Sequence, residues 1–123
     1  MNSIILIVDD NTDFLVNLQM TLEFNDYQVF SAESGIEAIK ILRELDQLPN
    51  LIISDIMMPE MNGYEFFSTI SKNPQWKNIP FLFLTAYSPI EDDTRSNKII
   101  DDDIMIKPYK EDELLQLITE KLV

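Results

Sequence analysis

The chain contains no cysteine and no histidine. Disulfides, metal sites built on thiolate or imidazole, and catalysis by either side chain are therefore excluded. Acid–base, nucleophilic or metal chemistry has to run on carboxylates, lysine, hydroxyls and the backbone. Glycine is scarce as well. Gly35 and Gly63 are the only two, too few for a P-loop or a dinucleotide-binding fingerprint. Basic residues number 9 against 22 acidic ones, a formal charge of −13. A surface that acidic repels nucleic acid and anionic lipid, so direct contact with either is not expected. No apolar run is long enough to span a membrane, and the segment from Met1 lacks the basic region of a signal peptide. A cytoplasmic setting is expected.

What is present is a set of short, unbroken apolar runs: Ile4–Val8, Leu51–Ile53, Phe81–Leu84 and Ile104–Ile106. Each is too short for a buried helix and rich in β-branched or aromatic residues. Continuous rather than alternating hydrophobicity marks strands covered on both faces, as in a parallel sheet. Gln28–Ala32 is a weaker fifth strand, expected near an edge. Helical stripes lie between the runs. Phe14, Leu15, Leu18 and Leu22 form one, with Asn11 or Thr12 as N-cap. Ser34 and Glu37 read as a capping box before a helix that turns Ala38, Ile39, Leu42 and Leu45 inward. Tyr64, Phe67 and Ile70 line a third helix, and Leu114, Leu117, Ile118 and Leu122 line the last. Ile90–Lys98 is the poorest helical pattern, polar and weakly amphipathic.

The order is β-α five times over 123 residues, a length that suits one domain. Such a chain forms a parallel sheet with right-handed crossovers and helices on both faces. The expected fold class is thus α/β, a single doubly wound five-stranded sheet.

In such sheets ligands bind outside the carboxyl ends of the strands, where the winding direction reverses. The first strand runs into Asp9 and Asp10, the third into Asp55, the fourth into Thr85 and the fifth into Lys107. Each alone has an ordinary explanation: Asp9 and Asp10 as capping residues, Asp55 as a turn residue, Thr85 as a strand-end hydroxyl, Lys107 as a surface lysine. Their convergence by topology is harder to explain that way. Three clustered carboxylates repel, and a divalent cation resolves the conflict. With no His or Cys, the oxygen donors favour Mg²⁺, with Mn²⁺ as the alternative. Lysine and threonine complete an anion site. A metal and a lysine around a carboxylate suit phosphoryl transfer to it.

The stretches Val8-Asp9-Asp10-Asn11, Ser54 to Gly63 (SDIMMPEMNG), Leu84-Thr85-Ala86 and Lys107-Pro108-Tyr109 resemble the receiver domain of two-component response regulators. The resemblance covers residues 1–123 in order and spacing. It implies a flavodoxin-like sheet of order 2-1-3-4-5 and a cis Lys107–Pro108 bond. It implies Asp55 as phosphoacceptor, with Asp10, Asp55 and the backbone carbonyl of Met57 as direct Mg²⁺ ligands and Asp9 acting through a bound water. Lys107 would pair with Asp55 and the phosphoryl group, and Thr85 would move toward it. The donor would be a sensor histidine kinase or a histidine phosphotransfer protein. The implied role is phosphorelay signalling rather than turnover of a separate substrate, the domain catalysing only its own phosphorylation and dephosphorylation. The conformational response would fall on the face around the fourth strand, the fourth helix and the fifth strand. It would be read by a downstream effector that the sequence does not name, and a phosphorylation-dependent dimer is compatible with the pattern.

Two positions depart from that family. Ile104 stands where a Tyr or Phe is usual, and Ile100-Asp101 where a small Gly-Ala pair is usual. Neither touches the phosphorylation chemistry; both bear on how the site is coupled to the surface, and Ile104 shifts the expected response toward Tyr87–Lys98. Three other functions compete. A haloacid-dehalogenase-like enzyme needs a carboxylate two residues after its nucleophile, where this chain has Met57 after Asp55 and Asn11 after Asp9. A flavodoxin-like cofactor binder needs a phosphate loop that Asp9 to Asp13 would repel. An interaction module without phosphorylation would not need Asp10, Asp55, Thr85 and Lys107 together.

Overall fold

The computed structural model describes residues 2–86 and 103–122. Five strands form one parallel sheet: β1 (Ile4–Val8), β2 (Gln28–Ala32), β3 (Leu51–Ser54), β4 (Phe81–Thr85) and β5 (Ile104–Ile106). Their spatial order is β2-β1-β3-β4-β5. Four helices are present among the described residues: α1 (Thr12–Phe24), α2 (Gly35–Glu44), α3 (Gly63–Lys72) and α4 (Glu111–Lys121). The helix expected at Ile90–Lys98, the response segment Tyr87–Lys98 and the Ile100-Asp101 pair lie outside the described residues.

Alternation along each strand divides the core in two. Leu6 and Val8 of β1, Ile52 of β3, and Phe81 and Phe83 of β4 face α2 and α3, meeting Ala38, Ile39, Leu42, Phe66 and Ile70. Ile5, Ile7, Leu51, Ile53, Leu82 and Leu84 face α1 and α4, meeting Leu15, Leu18, Leu22, Leu114 and Ile118. Both faces of the central strands are thus buried, which is why their sequences show no alternation. The first layer is strongly aromatic. Phe81 packs edge-on against Phe67 with ring centroids 5.0 Å apart, and at a tilt of 54° against Phe83 at the same distance.

Helix starts follow local chemistry. Asn11 is the N-cap of α1, its side chain accepting from the Phe14 N–H at 3.0 Å. Ser34 caps α2 by accepting from Glu37 N–H, but the box expected there is only half formed. Among the described residues the complete capping box belongs to α3. Asn62 accepts from Glu65 N–H and the Glu65 carboxylate accepts from Asn62 N–H, both at 2.9 Å. The α3 face also differs from expectation. Phe66 is its fully buried aromatic residue, while Tyr64 and Phe67 are only partly buried against the same layer. Leu45 is the C-cap of α2 and only partly buried, so the inward stripe ends at Leu42. No described helix is long and apolar enough to cross a membrane.

Candidate functional site

The winding direction reverses between β1 and β3, the neighbouring strands that lead into Asp9 and Asp55. The Asp55 N–H donates to the Val8 carbonyl at 2.9 Å, which ties the two strand ends together. Carboxylate oxygens of Asp9, Asp10 and Asp55 all lie within 4.8 Å of one another. Asp9 and Asp55 are buried, whereas Asp10 is exposed at the rim. The cluster therefore has two carboxylates in the floor and one facing solvent.

Each buried carboxylate is held in a defined orientation. Asp9 Oδ1 accepts from the Asn11 N–H at 2.9 Å, and Asp9 Oδ2 accepts from the Lys107 ammonium at 2.6 Å. Asp55 Oδ1 accepts from the Ile56 N–H at 2.7 Å and, more weakly, from the Met57 N–H at 3.4 Å. Asp55 Oδ2 is turned to Lys107, 3.5 Å from its Nζ. Burial pushes the Asp9 carboxyl above its ordinary value. The Lys107 and Asn11 hydrogen bonds offset this in part, while the neighbouring Asp55 charge adds to it.

Lys107 follows β5 directly. Its N–H donates to the Thr85 carbonyl at 2.8 Å, which carries the β4–β5 pairing one step past the strand and brings the lysine in over the cluster. The Lys107–Pro108 peptide is cis. Thr85, at the end of β4, is fully buried. Met57 lies two residues beyond Asp55 with its side chain exposed. The structure thus brings Asp9, Asp10, Asp55 and Lys107 into one constellation and places Thr85 and Met57 on the segments that border it.

Three contributors escaped the sequence reading. Gly63, the first residue of α3, packs directly on the loop after β3. A Cβ there would collide with the Asp55 carbonyl oxygen and stand 2.7 Å from Ile56 Cα. Its N–H donates to the Ile56 carbonyl at 2.8 Å. Ser54 is buried and its hydroxyl donates to that same Asp55 carbonyl at 2.8 Å. Phe14 was read only as part of a helical stripe, yet its ring lies under the Lys107 ammonium, 3.9 Å from Nζ to the centroid. The scarcity of glycine was a signal for Gly63. Ser54 lies in the motif around Asp55, but its sequence does not reveal the partner of its hydroxyl, and for Phe14 nothing local pointed to the site.

A model of the response regulator receiver domain matches residues 5–119, and the chain belongs to that family. It is a receiver domain of the kind found in response regulators of two-component signalling. Response regulator SaeR of Staphylococcus aureus is 35% identical over 119 residues, covering 96% of this chain and 50% of SaeR. The chain therefore spans half the length of that relative. An uncharacterised 14.6 kDa protein of Leptolyngbya boryana is 34% identical over 116 residues, 94% of this chain and 87% of that one. Among solved structures, chemotaxis protein CheY4 of Vibrio cholerae superposes with a TM-score of 0.88 at 28% identity, covering 99% of this chain and 100% of CheY4. Response regulator TrrA of Thermotoga maritima, solved in complex with Mg²⁺ and BeF, gives 0.83 at 32% identity, covering 98% and 99%.

Proposed function

We propose that residues 1–123 form one receiver domain that accepts a phosphoryl group on Asp55 and works as the phosphorylated switch of a two-component pathway. One observation carries this reading. Three carboxylates meet within 4.8 Å at the topological switch point, and a single ammonium reaches both buried ones. An acidic cluster alone is commonplace; an ammonium set between its two buried members supports a site that takes an anion once a cation offsets the remaining negative charge.

The donor is a phosphohistidine of a sensor kinase or phosphotransfer protein, or a small acyl phosphate. The Asp55 carboxylate oxygen attacks phosphorus as the phosphorus–nitrogen bond to the donor imidazole breaks. The imidazole leaves with that electron pair and takes a proton from solvent, and an aspartyl phosphate remains; from an acyl phosphate the phosphorus–oxygen bond breaks instead and a carboxylate leaves with the pair. Ile56 and Met57 N–H groups fix Asp55 Oδ1, so the carboxylate presents Oδ2 toward Lys107. Lys107 neutralises charge on the incoming phosphoryl oxygens, and the Thr85 hydroxyl moves toward them as donor.

The donor set fits a hard divalent cation: clustered carboxylate oxygens, no imidazole or thiolate, and an Asp9 carboxyl that burial pushes up in the cation's absence. Asp10, Asp55 and the Met57 carbonyl would hold Mg²⁺ (or Mn²⁺) directly, with Asp9 acting through water. When bound, the ion neutralises phosphoryl oxygens and supplies a template for their orientation. The structure of TrrA with Mg²⁺ and BeF supports this reading by likeness.

The response is proposed to fall on the face around β4, the segment that follows it, and β5. Ile104 is partly buried against the aromatic layer and is β-branched, so it cannot make the ring swing of an aromatic residue there. Incubation with acetyl phosphate and Mg²⁺, followed by intact mass, tests the proposal. A gain of one phosphoryl mass that needs the cation supports it; an unchanged mass overturns it.

A further inference from the structure

We infer that Phe14 is a positioning residue for the phosphoryl site, acting through the ammonium of Lys107. This rests on the phosphoacceptor reading and extends it to a residue outside the carboxylate and lysine set.

The Lys107 side chain arrives from β5, crosses the end of the sheet and stops between Asp9 Oδ2 at 2.6 Å and Asp55 Oδ2 at 3.5 Å. Carboxylates thus face two sides of the ammonium. The Phe14 ring faces another, 3.9 Å from Nζ. That distance is well inside the range in which a cation is attracted by the negative face of an aromatic ring. The lysine side chain is only 16% exposed, so little water competes and the attraction is correspondingly stronger.

The ring is itself held. Phe14 sits in the first turn of α1, its N–H bound to the Asn11 cap that also donates to Asp9. Tyr109, two residues beyond Lys107, packs edge-on against Phe14 with centroids 6.0 Å apart at 88°. The β5–α4 connection therefore places the lysine above the ring and the tyrosine at its side. An unbranched ammonium on four methylenes has many rotamers. The ring removes those in which Nζ swings out to water and leaves those in which it faces the two carboxylates. An aliphatic residue of similar size fills the space without attracting the charge.

Phe14→Leu and Phe14→Tyr separate these effects, since leucine keeps apolar bulk and tyrosine keeps the ring face. Phosphorylation by acetyl phosphate with Mg²⁺ should slow about 5- to 30-fold in Phe14→Leu, the scale of a largely desolvated cation–ring contact, and return toward wild type in Phe14→Tyr. In proton NMR spectra the Lys107 ε-methylene should be shifted upfield by the ring in wild type and Phe14→Tyr, and should lose that shift in Phe14→Leu. Melting temperatures exclude a general loss of fold. Equal rates in wild type and Phe14→Leu, equal losses in both variants, or an unshifted Lys107 methylene in wild type would each overturn the inference. Absence of phosphorylation in wild type defeats the phosphoacceptor reading instead, and the methylene shift then decides the contact by itself.

Discussion

The Lys107 ammonium stands nearer to Asp9, at 2.6 Å, than to Asp55, at 3.5 Å. The lysine thus leans on the carboxylate that burial has made reluctant to ionise. Neutralising Asp9 should consequently relieve the fold. A carboxyl whose folded pKa lies above its unfolded value of 3.8 binds its proton more tightly in the folded state. Its favourable contribution is present at low pH and is lost as pH rises through the folded pKa. At neutral pH, without metal, Asp9→Asn should therefore melt above wild type, and the gap should close as pH falls through the Asp9 range. Melts in chelator across that range check this; a lower melting temperature for Asp9→Asn at neutral pH would contradict it.

Metal binding should divide differently. Asp10 is the exposed member of the cluster, free of the burial that strains Asp9, and it is the proposed direct ligand. Asp10→Asn should weaken Mg²⁺ by at least about 10-fold, the scale on which even outer partners of a metal act. Asp9→Asn should weaken it less. Calorimetric titration with Mg²⁺ distinguishes them, and equal affinities for wild type and Asp10→Asn would remove Asp10 from the site.

Lys107→Ala takes away a charge-assisted partner of both buried carboxylates. Phosphorylation from acetyl phosphate should slow on the order of 10- to 100-fold, the range expected when a hydrogen bond to a charged group is lost. The fold should persist, because the lysine lies at the sheet end rather than in either core layer. Unchanged kinetics together with an unchanged response to beryllofluoride would exclude Lys107 from the mechanism.

Gly63, at the start of α3, packs closely on the backbone that follows β3. A methyl group there meets backbone, which cannot swing aside as a flexible side chain would. Gly63→Ala should cost about 1–3 kcal/mol of stability and displace the loop that aims Asp55, lowering phosphorylation as well. Asn62→Ala, which removes only the cap, should cost about 1 kcal/mol and leave phosphorylation of the folded fraction unchanged. Denaturant unfolding paired with phosphorylation rates separates the two. Identical behaviour of the variants would show that the close approach has no bearing on Asp55.

The sheet was legible because strands buried on both faces leave unbroken apolar runs, and those runs match the observed strands to within a residue. Ser54 and Thr85 extend β3 and β4 by one position each, since the backbone ladder continues under a polar side chain that hydrophobicity cannot register. The face of α3 was harder. Tyr64, Phe66 and Phe67 crowd one helical turn, and three large rings so close do not define a phase until the opposing sheet is known. The Asn62–Glu65 box has the same spacing as the half-formed Ser34–Glu37 pair but opens on Asn rather than the usual Ser or Thr. At the site, topology was enough to gather Asp9, Asp55 and Lys107. The lean of Lys107 toward Asp9 and its seat over Phe14 depend on the path of one side chain to residues far away in sequence, 98 positions in the case of Asp9. No local pattern encodes that path.

The central claim is that Asp55, and no other group, takes the phosphoryl. Borohydride reduction measures this most directly, because it converts an aspartyl phosphate, but not a phosphoserine or phosphothreonine, into homoserine. The domain is incubated with acetyl phosphate and Mg²⁺, reduced, digested and sequenced by tandem mass spectrometry. The account predicts homoserine at position 55 alone, dependent on the cation and absent from Asp55→Asn. Homoserine at position 9 or 10, or a phosphoryl mass retained on Thr85 or another hydroxyl with position 55 unmodified, would contradict it.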